Sequence, residues 1–267
     1  MSYEIIKKNG VKVLQFINLR NTGFLSHGFS TRIGGVSPSP YNTLNLGFTT
    51  SDDESNLTEN RRRLMSSLGL NGTLLHQQID LVHGVRVITN RELRGDGVPV
   101  IADGILTDKI GLPLVTTFAD CVPLFFVDRI KKVAGVAHAG WRGTFAGIAV
   151  KVIEKMAEVY NSNPPDILAG IGPGIGSCCF EVGDGVASLF FKKYNRWKDL
   201  AVNISNTGKW KINLFRLNKR LLMDCGLEEN NISVANLCTA CREDLFFSYR
   251  RDGKLSGRMT AVIAKIS

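Results

Sequence analysis

Cys121, His138 and His83 are the residues of this chain best suited to ligate a soft metal or to attack carbon. They stand in Ala119-Asp-Cys-Val-Pro123, His138-Ala-Gly-Trp-Arg-Gly143 and Leu81-Val-His83-Gly84. Two apolar runs, 122–127 and 132–137, are separated by the four residues 128–131. A hairpin in which Val127 faces Lys132 puts Cys121 directly opposite His138 on one face, with Cβ atoms ~5 Å apart. A thiol and an imidazole at that separation serve either as two ligands of one metal or as a nucleophile and its base. A loop one residue longer or shorter breaks this register. Gly140 and Gly143 lead into a helical pattern from Thr144, whose N-terminal N–H groups would lie beside the pair and can hold an anion. His83 sits in a turn before an apolar run, and spacing alone does not bring it to the pair.

The elements that must position these residues are short and clustered. The N-terminus alternates, and apolar runs at 85–88, 112–118, 122–127, 132–137, 246–249 and 259–266 predict strands. Helical spacing predicts helices over 57–68, 144–160 and 211–224, the first with Asn56 and Glu59 as a capping box. Strands in clusters, without strict strand–helix alternation, predict an α+β fold: mixed sheets flanked by helices, in a single compact domain spanning 1–267.

Composition bounds the chemistry. Of 267 residues, 44% are apolar and 21% charged, which excludes a disordered or collagen-like chain. No stretch approaches ~18 uncharged apolar residues, so no membrane span is expected. The 33 Lys and Arg against 24 Asp and Glu leave a net charge of +9. The basic residues are dispersed, and Arg61-Arg62-Arg63 falls within a helical pattern, so a small anionic substrate accounts for the charge better than nucleic acid does. Six cysteines are too few for a disulfide framework, and the N-terminus does not read as a signal segment, so reduced thiols in the cytoplasm are expected. No obligate protein partner is evident. The four histidines (His27, His76, His83, His138) limit any multi-metal centre. Gly170 to Gly176 carries no dinucleotide-binding register. Cys238-Thr-Ala-Cys241 lacks a second C-x-x-C, and the adjacent Cys178-Cys179 is a poor substitute, so metal content is expected to be independent of Cys238 and Cys241.

The motifs taken together carry a resemblance. His27-Gly-Phe-Ser-Thr-Arg32, Leu44-Asn-Leu-Gly47, Glu59-Asn-Arg61, His83-Gly84, Ala102-Asp-Gly104, Ala119-Asp-Cys-Val-Pro123, His138-Ala-Gly-Trp-Arg-Gly-Thr144, Ile171-Gly-Pro173, Cys238-Thr239, Phe246-Phe-Ser-Tyr-Arg-Arg-Asp-Gly253 and Gly257-Arg258 occur in order. In these the chain resembles the bacterial laccase-domain proteins, regarded as purine nucleoside phosphorylases with adenosine deaminase activity. The resemblance implies His83, Cys121 and His138 as zinc ligands, with copper the other metal to be considered. It implies phosphate and purine nucleosides (inosine, adenosine, S-methyl-5'-thioadenosine) as substrates. Two imidazoles and a thiolate suit zinc and leave a fourth position open. A blue-copper oxidase with a trinuclear cluster needs more histidines than this chain has. Arg32, Arg61, Arg142 and Arg251 are candidates to hold phosphate, and Asp120 is a candidate proton shuttle or a turn residue. The competing readings are a metal-free cysteine hydrolase, with Cys121 as nucleophile and His138 as base, and a non-enzymatic nucleic-acid binder.

Overall fold

Strands Val122–Asp128 and Val133–Ala139 are buried at every position. Such continuous apolar runs belong to strands covered on both faces. Leu124 and Phe126 point to one core, while Phe125 and Val127 point to another. The computed structural model describes residues 2–70, 77–94, 97–204 and 207–267. His76 lies outside them.

The two buried strands sit at the centre of a six-stranded mixed sheet in the order Ile232–Val234, Ile167–Ile171, Val122–Asp128, Val133–Ala139, Gly104–Thr107, Val87–Thr89. The outer pair at each end is parallel and the inner pairings are antiparallel. A five-stranded antiparallel sheet packs on one face, ordered Tyr3–Lys8, Val11–Phe16, Leu25–Ser30, Met259–Lys265, Leu114–Phe118. Phe16, Phe29, Phe118, Phe125 and Ile263 fill the space between the sheets. Each such side chain contributes roughly 1.5–3 kcal/mol by leaving water.

Helices cover the outer faces. Helix Glu54–Ser67 brings Leu64 and Met65 into one apolar cluster with Val13, Val115 and Val262 of the five-stranded sheet. Helices Ile148–Tyr160 and Leu214–Asp224 bring Val152, Met156, Leu217 and Leu221 together with Leu124, Phe126 and Ile171 of the other sheet. The result is the expected α+β fold, with mixed sheets and flanking helices in one compact domain.

Several boundaries differ from the sequence pattern, each for a local reason. The long helix expected over 144–160 is two helices, Trp141–Ala146 and Ile148–Tyr160, parted by Gly147 at φ +98°. The helix expected from Lys211 starts at Leu214, where the Asn213 side chain accepts the Arg216 N–H, and Lys211 belongs to strand Lys209–Ile212. Asp53, rather than Asn56, caps helix Glu54–Ser67. The segment 246–249 is not a strand. Phe246 and Phe247 are buried between the sheets, and the Ser248 hydroxyl then accepts the Arg251 N–H to start the short helix Tyr249–Asp252.

Candidate active site

The hairpin that carries the site is shifted from the expected register. Asp128 faces Val133 and Pro123 faces His138, so the position opposite Cys121 is that of Gly140, one residue beyond the strand end. The loop keeps four residues but moves along by one, because the Asp128 carboxylate accepts the N–H groups of Ile130 and Lys131 and Lys132 turns at φ +53°. The shift in pairing is two residues, so Cys121 and His138 stay on one face as diagonal neighbours.

His83 completes the group. The ligand atoms of His83, Cys121 and His138 all lie within 4.8 Å of one another. The Cys121 Sγ is 3.9 Å from His83 Nδ1, and the two imidazole centroids are 4.8 Å apart. Asp103, at the head of strand Gly104–Thr107, ties the histidines together. Its Oδ1 lies 3.1 Å from His138 Nδ1 and accepts the His83 N–H, while its Oδ2 accepts the Gly84 N–H. His83 is held in the left-handed region at φ +58° by these bonds. Burial alone would raise the Asp103 pKa, but the hydrogen bonds from His138 and Gly84 outweigh it and hold the carboxyl below its ordinary range. Sequence reasoning placed Asp103 in a motif without assigning it a role. The signal was a carboxylate one residue before a strand that pairs with the His138 strand.

The electrostatics favour a thiolate. Burial alone would push the Cys121 thiol up, but the charge and hydrogen bonding of His138, with His83 adding its own, bring it down to about 6. Burial alone would push His138 down, and Cys121 and Asp103 lift it to about 9 instead. Gly140 keeps room for this group. A Cβ there would lie 2.6 Å from His83 Nδ1 and 3.1 Å from Cys121 Sγ. One thiolate and two imidazoles in such a cradle, with a carboxylate behind one imidazole, fit a zinc ion with an open fourth position. The helix after Gly140 has only the six residues Trp141–Ala146, so the anion-holding dipole expected there is short.

The three side chains line a cavity of about 620 Å³, within the usual range for small-molecule sites. Its other walls include Phe48, Trp141, Tyr249, Arg250 and Arg258; the Arg250 guanidinium also donates to the Cys179 carbonyl, and that of Arg258 to the carbonyls of Ser256 and Gly257. The four arginines expected to hold phosphate stand outside this lining, each engaged elsewhere. Arg32 donates to the carbonyls of Asn42 and Glu243, and Arg61 pairs with Glu54. Arg142 is exposed over the Trp141 ring, and Arg251 donates to Asp252 and to the carbonyls of Thr239, Ala240 and Phe246. Asp120 lies on the cavity wall at φ +84°, with both carboxylate oxygens taken: Oδ1 by the Thr239 hydroxyl and Oδ2 by the Arg250 N–H, each at 2.6 Å. That arrangement ties the carboxylate to the loops that carry Thr239 and Arg250. Arg250 and Arg258, in the stretches Phe246–Gly253 and Gly257-Arg258, were not among the arginines expected at the cavity.

A second group was not expected to assemble. Cys178, Cys179, Cys238 and Cys241 lie with their sulfurs within 4.8 Å of one another. Strands Ile167–Ile171 and Ile232–Val234 are parallel neighbours, so the loops that follow them emerge together.

Comparison with known proteins agrees with the architecture and the motifs. The chain is 38% identical over 246 residues to the purine nucleoside phosphorylase YlmD of Bacillus subtilis, covering 88% of this chain and 87% of that one. It is 37% identical over 239 residues to the purine nucleoside phosphorylase YfiH of Escherichia coli, covering 88% and 91%. The crystal structure of YlmD from Geobacillus stearothermophilus superposes with a TM-score of 0.88 at 32% identity, over 100% of this chain and 99% of that one. Residues 26–265 match the family described as multi-copper polyphenol oxidoreductase laccase, and the chain belongs to that family.

Proposed function

We propose that this chain is a purine nucleoside phosphorylase that carries zinc on His83, Cys121 and His138 and also deaminates adenosine. The observation that supports this reading is the convergence of three soft ligands on one wall of a cavity that has aromatic and cationic groups on the others. When bound, zinc supplies Lewis acidity at an open coordination position. The Asp103 carboxylate fixes the His138 ring and leaves Nε2 for the metal side. Phe48, Trp141 and Tyr249 offer faces to a purine. Arg250 and Arg258, which line the same cavity, would hold phosphate against the ribose C1′, where positive charge develops as the base leaves. Burial lowers the Arg258 pKa, and a bound anion would favour its charged form. Inosine, adenosine and S-methyl-5'-thioadenosine share the purine and ribose that these groups would contact. The protein is proposed to work in the cytoplasm, where its thiols stay reduced.

The test is phosphate-dependent release of hypoxanthine from inosine, alongside ammonia release from adenosine, on zinc-loaded protein. Cys121→Ser and His138→Ala should abolish both reactions, and retained turnover in either would remove the assignment. Loss of one zinc on Cys121→Ser separates this reading from the cysteine hydrolase, since a thiolate engaged by metal is not free to acylate.

A further inference from the structure

We infer that Cys178, Cys179, Cys238 and Cys241 form a second zinc site, a closed tetrathiolate that clamps the two loops behind the cavity. The Cys241 sulfur is 3.4 Å from that of Cys178 and 3.3 Å from that of Cys179. These separations are far beyond a covalent S–S bond of ~2.05 Å. They lie close to the ~3.8 Å edge of a sulfur tetrahedron around zinc at ~2.3 Å. The Gly176 N–H donates to the Cys238 sulfur at 3.2 Å, the kind of bond that a metal-bound thiolate accepts. Gly176 also leaves the space: a Cβ there would lie 3.2 Å from the Cys178 sulfur and 3.5 Å from that of Cys238.

Zinc binding displaces the thiol protons to solvent and leaves a complex of net charge −2. Arg251 donates to the carbonyls of Thr239 and Ala240, and Arg250 donates to that of Cys179, so two guanidiniums flank the loops. Cys178 and Cys241 are exposed, which gives a metal its route in.

The clamp reaches the first site through Asp120. Thr239, between the two later cysteines, donates its hydroxyl to Asp120, and Asp120 precedes the ligand Cys121. The Asp120 carbonyl also accepts the Ile175 N–H from the other clamped loop. A closed site of four thiolates is structural, with no position left for substrate.

Metal analysis of the full chain, purified under reducing conditions with zinc, tests this. Wild type should hold two zinc ions, and Cys178→Ser and Cys241→Ser, both at exposed positions, should each hold one. One zinc in the wild type that is kept in Cys241→Ser and lost in Cys121→Ser overturns this proposal and leaves the first site standing. One zinc lost in Cys241→Ser and kept in Cys121→Ser supports the clamp and removes the first site. Cobalt replacement needs no variant. Wild type should show the strong thiolate-to-cobalt absorption of a four-sulfur site, and absorption typical of a single thiolate overturns the proposal. Recovery of disulfides among the four cysteines in the zinc-loaded protein overturns it as well.

Discussion

Asp103 Oδ1 stands 3.1 Å from His138 Nδ1, and the same carboxylate accepts the main-chain N–H groups of His83 and Gly84. One side chain therefore sets the ring of one proposed ligand and the backbone of another. Asp103→Asn keeps the shape but removes the charge and half of the acceptor capacity. Zinc affinity at the first site should fall ten- to a hundredfold, as is usual for losing a partner behind a ligand. Competition with a chelator of known affinity measures it, and unchanged affinity would deny Asp103 this role.

Gly140→Ala isolates the cradle from the fold. The backbone at Gly140, φ −65° and ψ 169°, is open to alanine, so the substitution strains little by itself. Its methyl would meet His83 Nδ1 and Cys121 Sγ well inside van der Waals contact. The variant should keep a thermal midpoint within a few degrees of wild type and lose most first-site zinc and nucleoside turnover. Normal zinc content in this variant would show that the three ligands do not converge as described.

Arg258→Ala should weaken phosphorolysis more than deamination, because only phosphorolysis has an anion to hold. The cost of a lost charge-assisted hydrogen bond is about 1.5–3 kcal/mol, or roughly ten- to a hundredfold. Arg142→Ala is the contrast, since that exposed guanidinium lies over Trp141 outside the cavity lining, and both activities should stay within about twofold of wild type. Parallel inosine and adenosine assays decide it. Equal losses of both reactions in Arg258→Ala would remove its phosphate role.

His27 gives the stability a pH dependence of known sign. It is buried between the sheets, where its Nε2 accepts the Phe16 N–H at 2.9 Å. Burial, with a lesser push from Arg20, lowers its pKa from 6.5 to about 3. Below pH 6.5 the unfolded chain takes up a proton that the folded chain refuses, so stability falls as the pH drops from 6.5 toward 3. From pH 7 to pH 5 this one group should cost about 2 kcal/mol. Urea unfolding of wild type and His27→Gln at the two pH values reads it, because the variant lacks this contribution. An equal fall in both proteins would mean that His27 is not held neutral.

Much of this architecture is legible in the residues themselves, because burial on both faces leaves an unbroken apolar run and solvent on one face leaves a period. Strands Val122–Asp128, Val133–Ala139 and Met259–Lys265 and helix Glu54–Ser67 could be read that way. The pairing of Cys121 with His138 was legible up to a shift of two residues, since parity is carried by alternation while the turn's position depends on the Asp128 side chain. Tertiary structure alone decided the rest. His83 reaches the pair because Asp103, 20 residues along the chain, bonds its backbone from a neighbouring strand. Arg250 lines the cavity from the short helix Tyr249–Asp252, which begins where the run 246–249 suggested a strand. The four distant cysteines meet because two strands that precede them lie parallel side by side. Each of these contacts joins segments whose local patterns are independent, so only the packing of the sheets brings them within bonding distance.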